Sequence, residues 1–141
     1  LHSGKCMIKV LGIEHIGIAV KSSDKMSNFF ENILGIKNPI TEDVKDQKVL
    51  TEIFDTTSGK LEILESTSEN SPINKFLAKR GNAVHHIALS VENIDEALID
   101  LKSKNVKLID ESPRIGAEGF KIAFIHPKAT DGILVELCQK P

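Results

Sequence analysis

The residues of this chain best suited to chemistry are imidazoles and carboxylates set into short apolar strands. The stretch Glu14-His15-Ile16-Gly17-Ile18-Ala19-Val20 is matched in the second half by His85-His86-Ile87-Ala88-Leu89-Ser90-Val91. A further matched pair, Lys60-Leu61-Glu62-Ile63-Leu64 and Leu134-Val135-Glu136-Leu137-Cys138, carries one glutamate in each copy, and a short loop insertion reconciles the two offsets. Side chains alternate between the faces of a strand. His15 therefore lies opposite Ile16, Ile18 and Val20, while Glu62 and Glu136 lie opposite their apolar neighbours, which must face helices. His15, Glu62, His86 and Glu136 are left to share the other face. A single strand histidine or glutamate is ordinarily capped or solvated, but two of each repeated at matching places suit a divalent transition metal of borderline ligand preference. Gly17, Ala19, Ala88 and Ser90 keep that face open.

Other candidates divide by alternation and context. His85 lies on the opposite face to His86 and reads as structural, and His126, before Pro127, reads as a turn residue. Cys138 shares a face with Glu136 but sits at a strand end, where packing is the simpler role. Glu52 lies among Leu50 and Phe54 on one face, with Val49, Thr51 and Ile53 on the other. An acid among apolar residues is either a solvent-edge residue or a held base, because desolvation raises a carboxylate's proton affinity.

The elements that must position these groups can be read from periodicity. A strand over 13–20 is followed by Ser22-Ser23-Asp24, which has N-cap chemistry. Met26, Phe29, Phe30, Ile33 and Leu34 then take helical spacing, with Gly35 as the stop. A weak strand near Ile40–Val44 precedes a hairpin of Lys48–Phe54 and Lys60–Leu64. Ser71-Pro72 starts a linking helix that ends at Gly81. The pattern then repeats: a strand over 84–91, a helix from Asn93 with Glu96 in a capping-box arrangement and Asn105 in the place of Gly35, and strands near Lys107–Ile109, Phe120–Ile125 and Gly132–Cys138. The fold class expected is α+β, with two tandem βαβββ modules, 10–69 and 83–141, joined by a helix in 70–82. Residues 1–9 read as a disordered leader or an expression remnant.

The composition bounds the function. The 141 residues are 40% hydrophobic and 27% charged, with net charge −2, which fits a globular protein and offers no basic excess for nucleic acid. Apolar runs are strand-length, too short to span a membrane. Cys6 and Cys138 supply no disulfide framework, which fits a reducing compartment.

Paired βαβββ modules with His and Glu from each resemble the vicinal oxygen chelate superfamily, which includes glyoxalase I, extradiol dioxygenases and antibiotic-binding proteins. More specifically, the 14–20 strand, Ser71-Pro72-Ile73 to Gly81, Val84-His85-His86-Ile87-Ala88, and Phe124-Ile125-His126-Pro127-Lys128 through Leu137 resemble the methylmalonyl-CoA epimerase family from about Val10 to Lys140. The resemblance implies a curved mixed sheet around a metal-binding cleft, with the metal at His15, Glu62, His86 and Glu136. Some family members have Gln where this chain has Glu62, and the extra charge would tighten metal binding. It implies Glu52 as a proton-transferring residue and Glu136 as its opposite-face partner in epimerising methylmalonyl-CoA at C2. Further expectations are one divalent ion per chain (Co2+ favoured, with Mn2+, Zn2+ or Ni2+ as substitutes), an acyl-CoA substrate with Lys75, Lys79, Arg80 and Arg114 available to the CoA tail, a homodimer, no membrane or nucleic-acid partner, and a cytoplasmic or, in a processed eukaryotic chain, mitochondrial-matrix location. The rival readings are a glyoxalase-I-type isomerase acting on a glutathione hemithioacetal and a non-enzymatic binding module of the same fold.

Overall fold

The structure is a computed structural model that describes residues 8–141. Cys6 and most of the expected leader lie outside the described residues. The elements are β1 (Val10–Ala19), α1 (Asp24–Asn28), a π-helical turn (Phe29–Ile33), β2 (Ile40–Val44), β3 (Val49–Asp55), β4 (Lys60–Ser66), α2 (Ile73–Arg80), β5 (Ala83–Val91), α3 (Ile94–Ser103), β6 (Arg114–Ile115), β7 (Lys121–Ile125) and β8 (Val135–Gln139), with short 3-10 turns between. The order β-α-β-β-β occurs twice, with α2 between the two runs. The fold class is α+β, and its strands form a mixed sheet.

Two compact units divide the chain: His15–His86, and the described residues up to Glu14 together with Ile87–Pro141. Strands β1 and β5 run through both. In the His15–His86 unit the strand order is β2-β3-β4-β1-β5, with β4 parallel to β1 and antiparallel to β3. In the other it is β1-β5-β8-β7-β6, with β8 parallel to β5 and antiparallel to β7.

Each unit buries one sheet face under a helix. In the His15–His86 unit, Val20, Phe54 and Ile63 pack with Phe30, joined by Ile18, Met26, Ile36 and Leu61. In the other, Val91, Ala123, Ile125 and Leu137 pack against Ile94, Ala97 and Leu98 of α3. Leu61 and Ile63 on β4, and Val135 and Leu137 on β8, thus take the helix-facing side, as alternation requires. Helix α3 starts where the Asn93 side chain accepts a hydrogen bond from the Glu96 N–H at 3.0 Å, and it is followed by Asn105 in the left-handed region at φ 60°. Gly35 takes the corresponding place in the first half at φ 76°.

Two expectations are corrected. The helix expected from Met26 to Leu34 is α-helical only to Asn28, after which the backbone widens and the Leu34 N–H reaches the Phe29 carbonyl at 2.9 Å. Five-residue spacing turns Phe30 into the core and leaves Phe29 and Ile33 exposed. The strand expected near Lys107–Ile109 is a single bridge from Leu108 to Ile125, and the paired segment is Arg114–Ile115. Asp110 accounts for the shift: its Oδ2 accepts the Phe124 N–H at 2.8 Å, which removes the donor a continuing ladder would use, and Pro113 has no N–H to offer.

Leu98 is 2% exposed at the centre of the α3 cluster. Leu98→Ala is expected to cost about 2–5 kcal/mol, read as a lower urea midpoint at unchanged slope.

Candidate metal centre

The site begins with strand register. Strand β1 pairs with β4 so that His15 lies beside Lys60, and Gly17 beside Glu62. Register partners point to the same side of a sheet and alternate positions share a face, so His15, Gly17 and Glu62 share the face opposite Ile63. Ile53 on β3, the register partner of Glu62, joins them with Val49 and Thr51. The other unit repeats this register: Ala88 on β5 pairs with Glu136, as Gly17 does with Glu62, and His86 precedes Ala88 by two residues as His15 precedes Gly17.

Within the His15–His86 unit His15 touches two other expected ligands, one at each ring nitrogen. His15 Nε2 lies 3.0 Å from His86 Nε2, with the rings edge-on at 86° and centroids 5.1 Å apart. On its other side, His15 Nδ1 is 3.2 Å from Glu62 Oε2. All three residues are buried: His15 is 7% exposed, His86 5% and Glu62 4%. Ligand atoms of His15 lie within 4.8 Å of those of His86 and of Glu62, so the chain holds a His/Glu group that could bind a metal ion. The 3.0 Å separation fits one: two imidazole nitrogens each about 2.1 Å from a common ion and roughly at right angles would be about 3.0 Å apart. Glu136 lies on β8, 4% exposed, between Ala88 and Phe124 in the sheet.

Gly17 makes room for this arrangement. A Cβ at Gly17 would lie 2.2 Å from His86 Cε1, 2.5 Å from Nδ1 and 2.8 Å from Nε2. The ring has little freedom to retreat. His85 Nδ1 is 2.9 Å from His86 Nδ1, and the His85 ring packs edge-on against Phe76 of α2 at 4.9 Å. His85 is therefore a packing partner of His86.

Glu52, the expected proton-transferring residue, lies on the other face of the sheet. Glu52 pairs with Ile63, one place out of phase with Glu62, and so points to the helix-facing side. There it accepts a hydrogen bond from the Ser27 hydroxyl of α1. Glu42 on β2 pairs with Thr51 and therefore lies on the Glu62 face. It is half-buried, while its neighbours Thr41 and Asp43 are exposed. Sequence reasoning missed it because β2 is short and weakly patterned; the alternation of Ile40, Glu42 and Val44 is the signal that could have found it.

The remaining candidates have structural roles. His126 Nδ1 accepts the Lys128 N–H at 3.0 Å, closing a turn. Cys138 is buried among Ala88, Phe120, Ile122 and Phe124, with its thiol 3.5 Å from the Leu89 carbonyl.

Comparison with known proteins places these features in context. Residues 14–124 match the model of the Glyoxalase/Bleomycin resistance protein/Dioxygenase superfamily. The chain is 46% identical to the uncharacterized protein YqjC of Bacillus subtilis, over 90% of this chain and 91% of that one. It is 36% identical to the mitochondrial methylmalonyl-CoA epimerase of Homo sapiens, over 90% of this chain and 73% of the relative. Among solved structures, a substituted methylmalonyl-CoA epimerase of Streptomyces coelicolor in complex with 2-nitronate-propionyl-CoA is 35% identical with a TM-score of 0.87, covering 94% of this chain and 96% of that one.

Gly17→Ala should displace the His86 ring and weaken Co2+ or Zn2+ binding by at least about tenfold in calorimetric titration. Unchanged metal affinity in a folded Gly17→Ala protein would remove His86 from the site.

Proposed function

The chain belongs to the Glyoxalase/Bleomycin resistance protein/Dioxygenase superfamily, and from that premise we propose that it is a methylmalonyl-CoA epimerase, interconverting the two C2 epimers of methylmalonyl-CoA by proton abstraction and return. One observation carries this reading: proteins named for that activity match nearly the whole chain at 35–36% identity, and the matched length includes the buried His15–His86 pair. We propose His15, Glu62, His86 and Glu136 as the ligands of one divalent ion, with Co2+ favoured. Glu136 enters because it stands to Ala88 as Glu62 stands to Gly17.

The C2 proton of methylmalonyl-CoA lies between a thioester carbonyl and a carboxylate, so its removal puts negative charge on oxygen. A bound divalent ion would supply Lewis-acid stabilisation of that charge. The chain's residues supply the proton transfer. For the base we propose Glu42 in place of Glu52, because Glu42 has the face of Glu62 by register whereas Glu52 is engaged with Ser27 on the other side. Glu42 takes the C2 proton as a carboxylate, and Glu136 is the proposed source of the proton returned to the opposite face. Val49, Thr51 and Ile53, all nearly fully buried on the same face, keep water from the carbanion and strengthen the electrostatics around it. No helix among the described residues is long and apolar enough to cross a membrane. A homodimer acting in the cytoplasm completes the proposal.

The test is solvent exchange. Cobalt-loaded protein incubated with methylmalonyl-CoA in D2O should place deuterium at C2, detected by mass spectrometry; a metal-loaded, folded protein that leaves C2 unlabelled would overturn the assignment. Glu42→Gln should retain metal and lose about 10²–10⁴-fold in exchange rate, while Glu52→Gln should stay within a few-fold of the parent. The reverse pattern would restore Glu52 as the base.

A further inference from the structure

The duplication that aligns Glu62 with Glu136 also aligns two residues of opposite charge. In the first half, Glu42 pairs with Thr51, two residues before Ile53, the register partner of Glu62. In the second, Arg114 pairs with Ile122, two residues before Phe124, the register partner of Glu136. Glu42 and Arg114 therefore occupy equivalent sites, each on the carboxylate-bearing face of its own unit. One module presents an acid there and the other a guanidinium.

The surroundings of Arg114 hold its stem and leave its fork available. Its Nε is 3.3 Å from Asp110 Oδ1, and Asp110 is itself fixed by accepting the Phe124 N–H through Oδ2. The guanidinium carbon lies 5.7 Å from the centroid of the Phe124 ring, close enough for cation–π attraction to orient the group. Asp110 engages the Nε edge of a group with five N–H donors, and among the described residues no second carboxylate pairs with Arg114. Gly116, just beyond β6, tightens the support: a Cβ there would lie 2.8 Å from Ile122 Cδ1, so the loop closes directly on the residue that pairs with Arg114. The side chain remains 42% exposed. A partly exposed guanidinium with its Nε edge and one face already engaged is pre-organised for bidentate contact with an oxyanion.

We infer that Arg114 is the oxyanion receptor of the substrate site, pairing with an anionic group of an acyl-CoA. The inference rests on the epimerase reading for the identity of that substrate. Two oxyanions of such a molecule have the required chemistry, the acyl carboxylate and a phosphate of the CoA moiety. A second acid at position 114 would instead repel the substrate.

The experiment titrates cobalt-loaded parent protein, Arg114→Gln and Arg114→Lys calorimetrically with methylmalonyl-CoA and with propionyl-CoA, which lacks the acyl carboxylate. Arg114→Gln should lose roughly ten- to a hundredfold in affinity for methylmalonyl-CoA, and Arg114→Lys should recover part of it through charge without the fork. Unchanged propionyl-CoA binding in Arg114→Gln identifies the carboxylate as the group bound; an equal loss identifies a phosphate. Unchanged affinity for both ligands overturns the inference, as does a weakening accompanied by a large drop in melting temperature, which would make Arg114 a residue of the fold. Parent protein that binds methylmalonyl-CoA without exchanging C2 removes the epimerase reading and leaves the Arg114 comparison standing. Parent protein that binds neither ligand removes both.

Discussion

The site depends on one close approach, the imidazole of His86 lying where any side chain at position 17 would have to be. Only the hydrogen of glycine leaves that volume empty. With the ring in place, two Nε2 atoms stand 3.0 Å apart among buried residues, a separation at which one neutral ring can donate its N–H to the other or both lone pairs can face a common cation.

The rest of the fold serves that approach by separating two chemistries on two faces. Strands β4 and β8 put apolar side chains under a helix and send the intervening residues to the other side. On β4, Leu61 and Ile63 join the cluster around Phe30 and Phe54 while Glu62 takes the other face. On β8, Leu137 joins the α3 cluster while Glu136 does the same. The helix packing stabilises the domain, and the period of two then delivers the carboxylates to the opposite face without further specification. Duplication supplies the symmetry. Departures from it are Glu42 against Arg114 and the histidine His85 where the first copy has Glu14.

Glu52 shows how fine the determinant is. Alternation correctly grouped it with Leu50 and Phe54, but which face that group takes depends on how β3 is paired with β4. The turn at 56–59 sets Asp55 against Lys60, and from there Glu52 falls opposite Ile63 instead of Glu62. A register shift of one residue would reverse every assignment on the strand. The same parity moves attention to Glu42, whose strand is too short to announce itself by pattern.

What the sequence by itself determined was everything that rests on local period and on repetition: the βαβββ order, the helix-facing set on β4 and β8, the Asn93 cap and Asn105 stop of α3, and the pairing of His15 with His86 and of Glu62 with Glu136 as equivalents. These follow from propensity and alternation within a few residues, and duplication states each of them twice. Tertiary structure alone decided which strands are neighbours and in what register, and therefore that Glu52 faces α1, that Glu42 and Arg114 are counterparts, that the α1 helix loosens into a π turn to seat Phe30, and that Gly17 is required by the ring of His86, a residue distant in the chain. Those facts depend on contacts between segments distant in the chain, where hairpin geometry and the volume of a single Cβ outweigh any local preference.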